Sequence, residues 1–178
     1  MRPHFATSTA ACGALILVCA GLHAQNPVAG ALQKLTTRAA RNLIESAQEM
    51  PGDKYGYKPT PAQMTFGEVA VHLADGNGIL CGSIAGTPAP QLPKLTPQDS
   101  KDTLVSRLKQ SFDFCTAALG RVDDTKLADS IPFFGSRKVT RAMAMMITVD
   151  DWADHYSQLA IYLRLNGLLP PTAKKKEG

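Results

Sequence analysis

Past its first 24 residues, the sequence contains no apolar run near the roughly 20 residues that a permanent membrane-spanning helix needs. No stretch alternates between apolar and polar residues over a useful length, so no β-strand is predicted. There is no internal repeat, glycine-rich phosphate loop, dinucleotide fingerprint or nucleophile elbow, which removes the common nucleotide-binding and serine-hydrolase classes. Aromatic residues make up only 6% of the chain and tryptophan occurs once. No basic face is interleaved with aromatics, so the sequence offers nothing to a nucleic acid. Charge of either sign is also modest: 19 Lys+Arg against 15 Asp+Glu, a net +4 in 178 residues. Much of that excess is the row Lys174, Lys175 and Lys176, which reads as a solvated tail. Histidine and cysteine occur four times each, but two of each fall within the first 24 residues.

Those first residues have their own pattern. Arg2 precedes a short polar stretch and an apolar run of about 13 residues, Ala10 to Leu22, that closes on Leu22-His23-Ala24. A basic start, an apolar centre and a small residue before the cut are the layout of a secretory signal peptide, with cleavage expected near Ala24. The expected organisation is therefore a signal peptide over 1–24, one domain over 25–171 and a disordered basic tail over 172–178. A periplasmic or secreted protein with no stable membrane insertion after cleavage is expected. An oxidising compartment would let the remaining cysteines, Cys81 and Cys115, persist as a disulfide between neighbouring helices. Two buried free thiols are the alternative.

Within the domain, apolar residues recur at helical spacing in four segments. Leu32, Leu35, Ala39, Leu43, Ile44 and Ala47 form one stripe, stopped by Pro51-Gly52. Thr65 and Glu68 make a capping box for a second helix carrying Phe66, Val69, Ala70, Leu73, Ile79 and Leu80. Gly76 and Gly78 weaken that helix, and suggest close packing or a bend. A Pro-rich crossing loop, Ala85 to Pro97, leads to a third helix from about Gln98 with Leu104, Leu108, Phe112, Cys115 and Leu119 facing the core. Gly120 is expected to end it in a left-handed conformation. Residues 122–137 read as irregular. A fourth helix starts near Lys138, carries Val139, Met143, Met146, Ile147, Trp152, Leu159, Tyr162 and Leu163, and stops at Asn166-Gly167 before Pro170-Pro171. Met143, Met145 and Met146 read as core filling. The fold class is all-α, a four-helix bundle with one long crossing loop.

Chemistry concentrates on the fourth helix. Asp151 and His155 lie four residues apart, so both project from one face a turn apart. His72 from a facing helix would complete a three-ligand set with coordination positions left open. Two imidazoles and a carboxylate suit Zn, Ni or Fe(II). The bland reading of the same spacing is a hydrogen bond along the helix surface. Asp75 and Asn77 read either as supports for His72 or as exposed residues near a helix end. Asp154 reads as solvent-facing. Tyr156, Gln158 and Arg164 read as pocket lining or, for Tyr156 and Arg164, as helix packing.

TFGEVAVHLAD around His72 and DHYSQLAIYLRLNGLLPP after Ala153 resemble segments of the DinB-like (DinB/YfiT) superfamily, bacterial four-helix-bundle metalloenzyme candidates. YGYKPTPAQMTF and PFFGSRKVTRAMAM look like an exported branch of it, and the resemblance covers about Leu32 to Pro171. It implies one divalent metal held by three histidines, one on the second helix and two at i, i+4 on the last. His72 and His155 match two of these. The remaining position is Asp151, a carboxylate that adds negative charge and favours harder metals. Some members resemble thiol-dependent transferases or isomerases in which the metal activates a thiolate, and the resemblance also makes a homodimer plausible.

The expected function is a metal-dependent enzyme activating water or a thiol toward an unidentified small-molecule substrate. The alternative is a non-catalytic binding or stress-related bundle with a degenerate metal site. A membrane-surface role for the lysine tail ranks last.

Overall fold

The computed structural model describes residues 26–174; the expected signal peptide lies outside them. Four helices dominate: α1 Pro27–Glu49, α2 Phe66–Ala85, α3 Lys101–Leu119 and α4 Arg141–Leu165. α1 packs on α3 and α4, and α2 packs on the same two, so α1 faces α2 and α3 faces α4 across the bundle diagonals. The long Pro-rich connection is present, but it joins the neighbours α2 and α3. The diagonal crossings are made by residues 50–65 and 120–140. Among the described residues, no helix is long and apolar enough to cross a membrane.

The stripes become the core. Leu32, Leu43 and Ala47 of α1 are buried together with Phe66, Val69, Ala70, Leu73 and Leu80 of α2. Every expected core position of α3 is buried, as are Trp152, Leu159, Tyr162 and Leu163 of α4. The Thr65–Glu68 capping box forms in both directions, which sets the start of α2. Close packing also explains Gly78, where an added Cβ would lie 3.1 Å from the Cβ of Ala89 in the α2–α3 loop. It does not explain Gly76, where a Cβ would meet nothing within 4 Å.

Several details differ from the sequence reading. The segment read as irregular contains a small antiparallel hairpin, β1 Ser130–Pro132 paired with β2 Lys138–Thr140. Its three-residue strands are too short to show a two-residue period, yet Ile131 and Phe133 enter the core. Val139 thus lies on a strand, and α4 starts at Arg141 with Thr140 as its cap. α3 starts at Lys101, capped by Ser100, and Gly120 stays right-handed with φ −60°. Among the described residues the left-handed glycines are instead Gly86 at the end of α2, Gly135 in the hairpin turn and Gly167 after α4. Ile79, Met143 and Met146 are exposed, and Met145 alone of the three methionines is core. The expected tail is ordered at its start: Pro171–Ala173 form a 3-10 turn and Lys174 pairs with Glu49.

Cys81 and Cys115 are bridged, with their Cα atoms 5.2 Å apart. They tie α2 to α3. One turn earlier on α2, buried Asn77 donates to Ser111 Oγ at 2.9 Å and accepts from Trp152 Nε1 at 2.7 Å. Asn77 is therefore a link between helices rather than an exposed or His72-supporting residue. From the 34-residue separation of the cysteines, reducing the bridge should cost roughly 3–4 kcal/mol through the unfolded chain's regained freedom. Urea unfolding with and without reductant measures this, and a midpoint unmoved by reduction contradicts it.

Candidate metal centre

The bundle places α2 against α4, and one cluster of potential ligands lies between them. His72 sits in the second turn of α2, downstream of the capping box. Asp151 and His155 share one face of α4. One ligand atom from each of the three lies within 4.8 Å of the others. The two imidazole rings meet edge-on, with centroids 4.7 Å apart. His155 is buried, Asp151 half-buried and His72 exposed, so the cluster has a closed side and a solvent side.

Behind His155 runs a chain of hydrogen bonds whose directions can be derived. The carbonyl of Met64 can only accept, so Tyr162 Oη donates to it at 2.8 Å. Tyr162 Oη must then accept from Gln158 Nε2, at 3.0 Å. That leaves Gln158 Oε1 as acceptor toward His155 Nδ1, at 3.1 Å. Nδ1 therefore carries a hydrogen, and Nε2 is the nitrogen turned toward Asp151 Oδ1, 3.5 Å away. A carbonyl just before α2 thus fixes the tautomer of a histidine on α4. Such outer contacts orient metal-ligating histidines generally. The sequence reading left Gln158 as pocket lining and Tyr162 as core. The i, i+3 and i, i+4 steps 155–158 and 158–162 were the available signal.

Electrostatics point the same way. The Asp151 carboxylate raises the pKa of His155; burial opposes this, and Gln158 adds to the rise. A raised histidine pKa contributes stability below the ordinary value, which is lost as pH rises through the folded-state value. In the metal-free protein this pair therefore stabilises acidic-side conditions and fades through the window above about pH 6.5.

The other expected residues divide. Asp154 and Asp75 are exposed. Tyr156 both packs on the core and lines a cavity between α1 and α4, its hydroxyl paired with Thr172 Oγ1 at 2.7 Å. Arg164 turns back to the Ala160 carbonyl at 3.4 Å. A recess of about 330 Å³ shares Gln158 and Tyr162 with the chain behind His155, and adds Gln63, Asp154 and Ile161.

Residues 35–159 match the family model of the DinB superfamily. The chain belongs to the DinB superfamily. Among solved structures, a DinB-like protein of Bacillus cereus superposes with TM-score 0.68 at 17% identity, covering 80% of this chain and 95% of its own. A DinB-like protein of Bacillus subtilis gives 0.66 at 20% identity, over 82% of this chain and 99% of its own. A mycothiol-dependent maleylpyruvate isomerase gives 0.60 at 12% identity, over 74% of this chain and 60% of its own. At such identities these structures share the DinB fold with this chain and show nothing further. No functionally curated protein matches it by sequence.

An NMR titration of the metal-free DinB chain should place the His155 midpoint above the ordinary histidine value, and Asp151→Asn should bring it down. A midpoint that Asp151→Asn leaves in place contradicts the pairing.

Proposed function

We propose that this DinB protein is an exported metal-dependent enzyme that holds one divalent ion on His72, Asp151 and His155. The observation that carries the reading is the convergence of three ligand atoms within 4.8 Å on two different helices. Bonds of about 2.0–2.2 Å put the ligand atoms of a tetrahedral ion about 3.3–3.6 Å apart, so the widest pair needs a closure of at most about 1.5 Å. His72, being exposed, has the freedom to make it. The donor set of two imidazoles and one carboxylate fits Zn, Ni or Fe(II).

When bound, such an ion supplies Lewis acidity that lowers the pKa of a water or thiol beside it. The protein's own groups do the rest. His155 presents Nε2 because Gln158 holds the proton on Nδ1. Asp151 brings a negative charge that offsets part of the ion's positive charge, where the family resemblance leads one to expect imidazole. The exposed side of His72 leaves an approach for a small substrate. The mycothiol-dependent neighbour supports a thiol as one possible reactant class. The leader-like first 24 residues and the Cys81–Cys115 bridge support a location outside the cytoplasm, where water is the more available nucleophile. No feature supports a nucleic-acid partner.

The direct Asp151–His155 contact at 3.5 Å favours a second reading, a metal-free ion pair in a non-catalytic bundle. Metal analysis of tag-free protein after loading with Zn, Ni, Mn or Fe(II) separates the two. The metal reading expects about one equivalent per chain, lost in His155→Ala. It also expects Asp151→His to tighten Zn or Ni binding by at least about tenfold, since imidazole suits these ions better. Clearly substoichiometric metal under every loading would leave the ion pair as the reading.

A further inference from the structure

A second cavity lies between α1 and α4, lined by neither His72, Asp151 nor His155. Its volume is about 290 Å³, at the small end of ligand pockets. Leu35 and Val149 form its apolar walls with the ring of Trp152. The indole N–H of Trp152 is already bonded to Asn77 on the far side, so only its apolar ring surface is left for the cavity. One rim is formed by Thr172, which the C-terminal turn brings in and Tyr156 pins through two hydrogen bonds, at 2.7 and 3.1 Å.

Besides the hydroxyl-bearing Tyr156, Ser157 and Thr172 and the already bonded indole, two nitrogen-bearing side chains line this space. Arg38 is the single charged residue lining it, and among the described residues the guanidinium makes no ion pair or hydrogen bond. One turn further along the same face of α1 is Asn42, only 7% exposed. The one hydrogen bond of its side chain is a 3.5 Å contact from Arg41 to Oδ1, so its Nδ2 donor has no partner within the described protein. That nitrogen is not sealed off, since no fully buried side-chain nitrogen or oxygen among the described residues lacks a partner, and it is therefore open to a molecule entering the cavity. An unused amide donor and an unpaired guanidinium four residues apart offer convergent donors to an acceptor that is anionic.

We propose that this cavity is a binding site for a small carboxylate bearing an apolar tail. The carboxylate would accept from Arg38 and from Asn42 Nδ2, while the tail lies against Trp152, Leu35 and Val149. The proposal does not depend on a metal at His72, Asp151 and His155.

Trp152 is the single tryptophan of the chain, so its fluorescence reports on this cavity directly. The test titrates phenylacetate into the full folded chain. A saturable fluorescence change with half-effect at about 1 mM or below is expected. Phenylacetamide, which keeps the tail and loses the charge, should bind at least about tenfold more weakly, and Arg38→Gln should weaken phenylacetate similarly. Arg38 is exposed, so that variant should keep the parent's circular dichroism and melting temperature; Arg38→Lys should restore part of the affinity. A linear, unsaturable change, an equal response to phenylacetamide or full affinity in Arg38→Gln would overturn the proposal. Inorganic phosphate binding as tightly as phenylacetate would overturn the role of the apolar tail.

Discussion

The side-chain amide of Asn77 holds three helices together. It donates to Ser111 on α3 and accepts from Trp152 on α4, while Ser111 passes its own hydrogen to the Leu108 carbonyl. Both ends of the amide are used and every direction is fixed. Such a buried network is rigid when complete and costly when broken, because each orphaned partner pays its desolvation. The covalent bridge one turn further along α2 locks the α2–α3 pair. The Asn77–Trp152 bond locks α2 to α4, and these are the two helices that carry the metal-ligand candidates. The distance from His72 to His155 is thus set by groups that touch neither.

The second anchor lies at the other end of the ligand cluster. Tyr162 of α4 bonds the Met64 carbonyl just before α2 begins, and its ring packs against Tyr57 and Phe66. The same hydroxyl orders Gln158, and Gln158 orders His155. One contact therefore does two things: it pins α4 to the start of α2, and it selects the nitrogen that His155 offers. Asp151 then sets the charge of the cluster. Where an imidazole would leave the site more positive, this carboxylate raises the proton affinity of its neighbour. Protons and a cation therefore compete for His155 Nε2.

Much of this could be read from the sequence, and the remainder was hidden for definable reasons. Helical spacing revealed the four helices, and the capping box marked the start of α2, because both are local signals. The i, i+4 step named Asp151 and His155, His72 followed as the other histidine of the domain on a facing helix, and the family likeness matched both histidines. The hairpin was too short for a period to emerge. Met143 and Met146 looked like core because methionine is apolar, but the first turns of α4 leave them in solvent. Asn77 looked like an accessory to His72 because it is close in sequence. Five residues along a helix turn a side chain away from its neighbour's face, and only the packing of α3 and α4 reveals its partners. The order at Thr172 and Lys174 was equally invisible, since it depends on Tyr156 and Glu49, both remote in the chain.

The central claim is that α2 and α4 deliver two imidazoles and one carboxylate to a single ion. X-ray absorption at the zinc edge of the zinc-loaded protein tests it most directly. A first shell of nitrogen and oxygen only is expected, at about 2.0–2.1 Å, with the outer-shell scattering of two imidazoles per zinc. Asp151→His should increase that number to three. A shell without imidazole scattering, or one that Asp151→His leaves unchanged, would contradict it.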